Sequence, residues 1–262
     1  MPPRYPFPHP LGAKVPEITL LFWVIKVLTT GMGETASDYL AYTDLALAGV
    51  VGIVGLGAAL WWQLSTTEYR PVPYWTAVAM VAVTGTMVAD ALHRFVGLSY
   101  AVTTPFYAAV LAVVLAWWWL SERTLSIHSI HTQRREAFYW LAVMASFALG
   151  TAAGDFTAAT LGLGYFASGL LFGALILVPL VAWRLGLNAV VAFWAAYILT
   201  RPLGASFADW LAKPAYRSGL GYGDGLVTLV TLLVIVVLVV WVRATGHGVQ
   251  ARRDPELQTE PA

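Results

Sequence analysis

The sequence contains no cysteine, and only 11% of its 262 residues are charged. The absence of cysteine excludes disulfides and metal sites built from thiolates. Roughly a quarter of the residues of a soluble domain are charged, so this scarcity of charge, together with 59% hydrophobic residues, indicates an integral protein of the lipid bilayer. A net charge of +1 argues against nucleic acid as a partner.

Motifs of common catalytic sites are also missing. The sequence shows no phosphate-binding loop, no HExxH zinc motif, no nucleophile elbow and no evident nucleophile–base pair, so we do not expect an enzyme. The stretch before Pro16 is rich in proline and has no apolar run, so it is not predicted to be a signal peptide.

Eight apolar segments are long enough to cross a membrane as helices, which takes ~20 residues each. They cover about residues 17–42, 45–65, 73–94, 100–121, 137–160, 164–184, 188–212 and 225–243. We therefore predict an all-α integral membrane fold with one transmembrane domain over residues 17–243. Residues 1–16 would form a cytoplasmic amino-terminal segment, and the polar residues 244–262 a disordered cytoplasmic tail.

A pattern of Trp, Gly and Asp recurs four times at constant spacing. Gly follows Trp by ten residues, Asp follows Gly by five, and an aromatic residue precedes each Trp. The copies are Trp23-Gly33-Asp38, Trp75-Gly85-Asp90, Trp140-Gly150-Asp155 and Trp194-Gly204-Asp209. Gly-Leu-x-Tyr follows the last three copies, at Gly97–Tyr100, Gly162–Tyr165 and Gly219–Tyr222.

This self-similarity indicates an internal repeat. The repeats span about residues 17–68, 73–123, 137–184 and 188–243. Each contains two helices, so consecutive repeats enter the membrane from the same side. We therefore predict four parallel two-helix repeats in a pseudo-fourfold arrangement, with the Trp-Gly-Asp helices around the axis.

The distribution of basic residues predicts the orientation. One side of the membrane would carry Arg4, Lys14, Arg70, Arg123, Arg134, Arg135, Arg184, Arg243, Arg252 and Arg253, and the other Arg94, Lys213 and Arg217. The positive-inside rule then places both termini in the cytoplasm, in a bacterial inner membrane. We expect Lys26 to snorkel to the cytoplasmic face, the four Trp residues to anchor at the headgroups, and the four Gly residues to permit close helix packing.

The four Asp residues are the main candidate site. Each lies about 22 Å along its helix from the Trp, so all four should occupy one layer in the outer third of the membrane. One turn earlier come Glu34, Thr86, Thr151 and Ala205, and two turns earlier Thr30, Ala82, Phe147 and Arg201. Arg201 is the one basic residue expected deep in a span, and Pro202 should kink or break its helix.

The charge of this cluster needs a counter-charge. Five acidic residues against one arginine give a nominal charge of −4, which protons or bound cations must balance in a medium where charge is expensive. The alternative is that each Asp only caps a helix or bonds loop backbone. His93, three residues after Asp90, could join the site. Two weaker signals are the His128–His131 pair and the potassium-filter-like Gly221–Asp224, for which the links between helices are too short.

The four Trp frames, together with the stretch SERTLSIHSIHTQRREAFYW, resemble a bacterial membrane family of four tandem copies of a repeat of unknown function. Each repeat of that family has two transmembrane helices and a characteristic tryptophan. The resemblance covers about residues 14–243 and implies a topology but no activity. The chain departs from it where the first repeat lacks Gly-Leu-x-Tyr and adds Glu34, and where the fourth adds Arg201 and Pro202.

These observations together predict a membrane cation transporter whose cargo is a divalent metal such as Mn²⁺ or Mg²⁺. Exchange of that cation for protons is compatible with the same carboxylates. Asp38, Asp90, Asp155, Asp209 and Glu34 would bind the cation or carry protons, with Thr86, Thr151, Arg201 and His93 in support. Arg201 would tether one carboxylate as a movable counter-ion. No tightly bound cofactor is expected beyond a divalent cation, and a homo-oligomer is compatible with the sequence. The alternatives are a proton or monovalent-cation pathway, and a membrane scaffold or partner subunit in which the Asp residues are structural.

Overall fold

The computed structural model describes residue 7 and residues 12–249, and the part it describes consists of eight long helices, short turns and no strand. The predicted tail from residue 250 onward, with Arg252 and Arg253, lies outside the described residues, as does Arg4. The helices are α1 (Leu20–Thr43), α2 (Leu45–Leu64), α3 (Pro71–Arg94), α4 (Tyr100–Glu122), α5 (Gln133–Asp155), α6 (Gly164–Arg184), α7 (Ala189–Ala212) and α8 (Asp224–Thr245). The all-α fold class is confirmed.

Local sequence signals account for the helix ends. The Thr19 hydroxyl accepts a hydrogen bond from the Phe22 amide at the start of α1, and Asp44 accepts two amide hydrogen bonds at the start of α2. α3 begins at a proline, which suits a first helical turn. Gly97 leaves α3 with a φ of +73°, a left-handed conformation that glycine adopts without strain.

Seven helices, α2 to α8, are long and apolar enough to cross a membrane. α5 continues as one span to Thr160 through a π-helical turn, and α2 contains a similar turn at Val51–Gly55. α1 is equally long, with 24 residues, but Lys26, Glu34 and Asp38 within it reduce its apolar character. Its charged residues face the bundle, as the following contacts show.

The odd-numbered helices form a ring. α1 contacts α3, α3 contacts α5, α5 contacts α7, and α7 closes the ring against α1. Each even-numbered helix packs outside against the odd helix of the following repeat, and α8 closes the circle on α1. The chain therefore alternates between a Trp end, where the odd helices begin, and an Asp end, where they finish.

The glycines of the repeat make one contact four times around this ring. A Cβ atom would lie 2.3 Å from Ala82 Cβ if built on Gly33, 2.6 Å from Phe147 Cβ on Gly85, 2.0 Å from Arg201 Cγ on Gly150, and 2.7 Å from Thr30 Cγ2 on Gly204. Each glycine thus faces the residue eight positions before the Asp of the neighbouring repeat. These approaches leave no room for a side chain, which is the close packing that the sequence predicts.

The Trp end repeats a second contact. The aromatic residue before each Trp packs on the Trp of the next repeat, with ring centroids 5.7–6.4 Å apart: Phe22 with Trp75, Tyr74 with Trp140, Tyr139 with Trp194, and Phe193 with Trp23. Trp75, Trp140 and Trp194 are 5% exposed or less, and Trp23 is half-buried. The prediction of headgroup anchors is wrong for the three buried residues, because the ring offers each indole an aromatic neighbour and a dry interior.

The amino-terminal segment covers the Trp end of the ring. Backbone hydrogen bonds join Gly12 to Thr67, Tyr69 to Ala13, and Lys14 to Ile130. The Lys14 ammonium lies 2.5 Å from a carboxylate oxygen of Glu136, and both residues are 1% exposed or less. This buried ion pair attaches the segment to the first turn of α5.

Candidate functional site

Two basic residues tie the carboxylates together at the Asp end. Arg94 Nη2 lies 2.5 Å from Asp38 Oδ1 and 3.0 Å from Asp90 Oδ2. Lys213 Nζ lies 2.8 Å from Asp224 Oδ1 and 3.6 Å from Asp209 Oδ1, and it also donates a short hydrogen bond to Asp38. We call this group the Asp-end network; it consists of Asp38, Asp90, Arg94, Asp209, Lys213 and Asp224.

Helix geometry brings the network about. Arg94 follows Asp90 by four residues and Lys213 follows Asp209 by four, so each base lies on the same helix face as its acid. The equivalent position of the first repeat is Tyr42, whose ring lies 4.9 Å from the Arg94 guanidinium carbon and 6.0 Å from Lys213 Nζ. The second and fourth repeats therefore supply cations, and the first supplies an aromatic face between them.

Three of the carboxylates have the spacing of a cation site. One oxygen from each of Asp38, Asp209 and Asp224 lies within 4.8 Å of the other two. The Lys213 ammonium forms an ion pair with all three, so it lies where a bound cation would be held. Burial alone would lower the pKa of Lys213, but the carboxylates of Asp209 and Asp38 and its hydrogen bonds outweigh that effect, and the pKa of Lys213 is raised.

This arrangement corrects the predicted charge balance. Lys213 and Arg94 were expected only as basic residues of the outer side, yet both pair directly with the acids. The nominal charge of −4 counted neither of them. Asp155 differs from the other three frame Asp residues: no base within the described residues forms an ion pair with it, and its neighbour is the phenol of Tyr100.

One turn deeper, Glu34 and Arg201 meet on the ring axis. Glu34 Oε2 accepts hydrogen bonds from Thr86 Oγ1 at 3.2 Å and Thr151 Oγ1 at 3.0 Å, and it lies 3.4 Å from Arg201 Nη2. The polar residues predicted at this level in the first three repeats therefore come together on one carboxylate. Glu34 is 3% exposed and Arg201 is not exposed at all.

Arg201 is fixed by backbone as well as by side chains. Its guanidinium donates to the carbonyl oxygens of Thr30 at 2.8 Å and Phe147 at 3.3 Å, and lies 4.4 Å from the Phe147 ring centroid. The predicted tether to a carboxylate is present, but this side chain links three ring helices and is not free to move alone. The sequence predicts a kink or a break of the helix at Pro202, and the break is absent, since α7 runs as one helix from Ala189 to Ala212.

Lys26 does not reach the headgroups. Its ammonium is buried, 4.5 Å from the Phe147 ring centroid and 4.1 Å from the Tyr197 ring centroid, and no described residue forms a hydrogen bond with it. The prediction of snorkelling is wrong because α1 turns this residue toward the ring axis and away from lipid. Lys26 is thus a second basic residue deep in the bundle, where the sequence predicts Arg201 alone.

The histidines lie apart from these groups. His93 Nδ1 lies 2.8 Å from the carbonyl oxygen of Leu98 and its ring stacks on Tyr100 at 4.1 Å, so it stabilises the turn after α3 and does not join the acids as predicted. His128 lies within the short helical turn Ile127–Ser129 between α4 and α5 at the Trp end, and His131 follows that turn. Gly221 and Gly223 have φ of +82° and +86° in the turn that leads into α8, which places Asp224 in the network.

Sequence reasoning missed Arg94, Lys213, Asp224 and Lys26 as site residues. The spacing of four between each base and its frame Asp could have revealed Arg94 and Lys213. Lys26 lies three intervals of four residues before Asp38, so the same helical spacing could have placed it on the face of Glu34 and Asp38. Asp224 lies 15 residues beyond Asp209, and no local spacing marks it.

The comparisons with known proteins agree with the repeat. The family model described as "Repeat of Unknown Function (DUF347)" matches residues 73–124, 138–185 and 192–247, which correspond to the last three repeats. α1 and α2 lie outside the match, although α1 makes the same ring contacts as the other odd-numbered helices and α2 packs outside the ring as the other even-numbered helices do. No curated protein and no solved structure matches the chain. With more than half of its residues matched, this chain belongs to the DUF347 repeat family.

Proposed function

We propose that this protein transports a small inorganic cation across a bacterial cytoplasmic membrane, and that the Asp-end network is its cargo site. The observation that carries the proposal is the position of Lys213 Nζ among three carboxylates whose oxygens lie within 4.8 Å of one another. A tethered ammonium balances part of the negative charge of these acids in the absence of cargo. An incoming cation replaces the ammonium, and Lys213 then moves away from the triad of Asp38, Asp209 and Asp224.

The chemistry of the ligands favours a hard divalent cation as cargo. The triad offers carboxylate oxygens only, which suit Mg²⁺ or Mn²⁺. The excess of Lys and Arg at the Trp end supports a cytoplasmic position for both termini, so that the Asp end faces outward. The protein is proposed as a transporter and not as an enzyme.

The packing of the axis favours a carrier over an open channel. Lys26, Glu34 and Arg201 are each 3% exposed or less, and the frame glycines press the ring helices together. A cation that enters at the Asp end can pass these side chains only if the ring helices move. Alternating exposure of one site to the two sides is the mechanism that such packing supports.

A proton pathway is the second candidate, favoured by one face of α1. Lys26, Thr30, Glu34 and Asp38 follow one another at intervals of four residues and cover about 18 Å of the axis. The three ionisable residues among them, Lys26, Glu34 and Asp38, thus extend from the Asp-end network into the middle of the bundle. This arrangement supports exchange of the cation for protons.

The experiment is uptake of Mn²⁺ or Mg²⁺ into liposomes that contain the purified protein, together with thermal unfolding in detergent. A cation at a hundredfold excess over its Kd stabilises the folded protein by about 2.7 kcal/mol. We expect Asp38→Asn and Asp209→Asn to abolish uptake and the thermal shift. Asp44→Asn is the matched control, because Asp44 is exposed, caps α2 and can be replaced by Asn without loss of the cap.

Two results would overturn the proposal. One is a protein that neither takes up a cation nor shifts its melting temperature with any of them. The other is unchanged uptake in the Asp38→Asn and Asp209→Asn variants. The first would favour a membrane scaffold or partner subunit in which the ion pairs hold helix ends together.

A further inference from the structure

Lys26 is a buried charged group that the cargo site does not use. It lies on α1 twelve residues before Asp38, about 18 Å deeper in the bundle, and is 1% exposed. Its ammonium contacts aromatic rings from two other ring helices, Phe147 on α5 and Tyr197 on α7. Its Nζ has no hydrogen-bond partner within the part of the chain that the structure describes, whereas Lys14 and Lys213, the other two lysines of the sequence, are both ion-paired.

The groups around Lys26 offer no anionic partner. On α7 it faces Tyr197, with the cation of Arg201 one turn further along that helix, and Arg201 lies against the same Phe147 ring. Tyr74 of α3 and Tyr139 of α5 lie beyond Tyr197, with their hydroxyls 2.5 Å apart. The acid nearest in sequence on its own face is Glu34, two turns away, which is bonded to Arg201, Thr86 and Thr151.

A permanent charge is expensive in such a place. The aromatic faces attract an ammonium, but they do not replace the hydrogen bonds that water gives it. The positive charge of Arg201 close by adds repulsion. A structural role would be served at lower cost by an apolar residue such as Leu or Met, so an amine here is explained best by a need to gain and lose a proton.

We propose that Lys26 is the proton-binding site of the transport cycle: its amine takes up a proton when the ring opens to water on one side of the membrane and gives it to water on the other side, before the ring closes around the neutral amine. The N–H bond that breaks leaves its electron pair on Nζ, and the proton leaves as hydronium, so no other reactant is needed. This inference rests on the proposed function, because the proton is the one exchanged for the cation bound at the Asp-end network.

α1 connects the two sites mechanically. It carries Lys26 at one end of its polar face and Asp38, a partner of both Arg94 and Lys213, at the other. The hydroxyls of Thr29 and Thr30 both donate to the carbonyl oxygen of Lys26, at 2.9 and 2.8 Å, a pattern that bends helices. A change in the bend at this point would move Asp38 relative to Lys213 and expose or bury Lys26 at the same time.

The first test reads the proton directly. Protein labelled with ¹⁵N on its lysines should give three Nζ signals in NMR spectra, assigned with the Lys14→Met, Lys26→Met and Lys213→Met variants. We expect the Lys26 signal to change with pH between about pH 5 and pH 9, while those of the two ion-paired lysines stay constant. The proposal would be overturned if the Nζ signal of Lys26 remained the signal of a protonated ammonium over this whole pH range.

The second test measures the coupling between proton movement and Mn²⁺ transport. In liposomes, Lys26→Met and Lys26→Arg should lose Mn²⁺ uptake driven by a pH gradient but keep exchange of Mn²⁺ for Mn²⁺, since neither side chain cycles a proton and the Asp-end network is intact. Uptake driven by the gradient at the parent rate in both variants would overturn the inference and leave the transporter proposal standing. A proton on Lys26 that responds to pH in a protein with no Mn²⁺ binding would instead retain the proton site and reject the cargo site.

Discussion

Lys213 Nζ lies 2.8 Å from Asp224 Oδ1 and so links the Asp end of α7 to the first residue of α8. The same ammonium pairs with Asp38 of α1 and Asp209 of α7, and its side chain is 6% exposed. Because Lys213 contributes the positive charge within the triad, its removal distinguishes two roles for this side chain. If the ammonium only stabilises the fold, its removal lowers stability and leaves cation affinity unchanged. If the ammonium occupies the place of the cargo cation, its removal also raises the affinity for that cation.

Lys213→Met should lower the free energy of unfolding of the cation-free protein by about 3–5 kcal/mol, the usual cost of leaving buried charges without their partner. It should also tighten Mn²⁺ binding, because the cation no longer has to displace an ammonium. Unfolding by denaturing detergent at increasing Mn²⁺ concentrations measures both quantities. Lys14→Met is the control, since Lys14 is equally buried in an ion pair but lies at the Trp end. If Lys213→Met is destabilised and its Mn²⁺ affinity does not rise, Lys213 does not stand in for cargo.

The Glu34–Arg201 pair should show strong coupling. Arg201→Met leaves a buried carboxylate without its cation, and Glu34→Gln leaves the guanidinium without its anion, so each single variant should be destabilised by about 3–5 kcal/mol. The double variant should cost less than the sum of the two by about 0.5–3 kcal/mol. The combination of Arg201→Met with Asp44→Asn, a distant exposed residue, should be additive. Additivity for Glu34 and Arg201 as well would mean that they contribute independently.

Gly150→Ala tests the packing of the ring. A Cβ there would lie 2.0 Å from Arg201 Cγ and 2.4 Å from Arg201 Cβ, atoms close to the backbone that have little freedom to move. We expect a loss of about 1–3 kcal/mol in the free energy of unfolding. Gly57→Ala is the matched control, because nothing lies within 4 Å of its added methyl group. A Gly150→Ala protein as stable as Gly57→Ala would show that the ring adapts to a methyl group.

The natural absence of cysteine makes the proposed orientation directly testable. Glu68 and Tyr216 are exposed in turns at the Trp end and the Asp end, respectively. In intact cells, a cysteine at Glu68 should be protected from a membrane-impermeant thiol reagent, and one at Tyr216 should react. The protein without added cysteines is the blank. The reverse pattern of labelling would place the Asp end in the cytoplasm.

The sequence predicts the ring well because the repeat spacing is a geometric property of helices. Gly33 and its counterparts are ten residues after the Trp in every copy, so all four meet the neighbouring helix at the same height. Equal spacing also places the four Asp residues at one end. These features depend on distances along one helix, which the sequence states directly.

The rest depends on rotation about the helix axis and on partners distant in sequence. Lys26 is one turn from Trp23, a position from which a lysine can reach the headgroups. It points inward because the packing of α1 in the ring turns this face of the helix toward Phe147 on α5, which the sequence does not state. Trp75 is a residue type common at membrane interfaces, and it lies at the end of its helix, yet Phe22 from the preceding repeat covers it. Asp224 joins the network because a glycine turn brings the start of α8 beside Lys213.

The pH dependence of stability gives a final test of the Asp-end network. The pKa of Lys213 is raised in the folded protein, since the carboxylates of Asp209 and Asp38 more than offset its burial. A raised lysine pKa contributes stability that is fully present below the unfolded pKa of about 10.4 and is lost as pH rises through the folded pKa. The difference in unfolding free energy between the parent and Lys213→Met should therefore be constant from about pH 7 to pH 9 and should shrink only above about pH 10.4. Unfolding titrations of both proteins across this range measure that difference. Lys26→Met is the contrasting variant, because the amine of Lys26 in the parent has no carboxylate partner among the described residues. A difference that already falls between neutral pH and pH 9 would show that Lys213 loses its proton there, and the carboxylates would then not hold it as an ammonium.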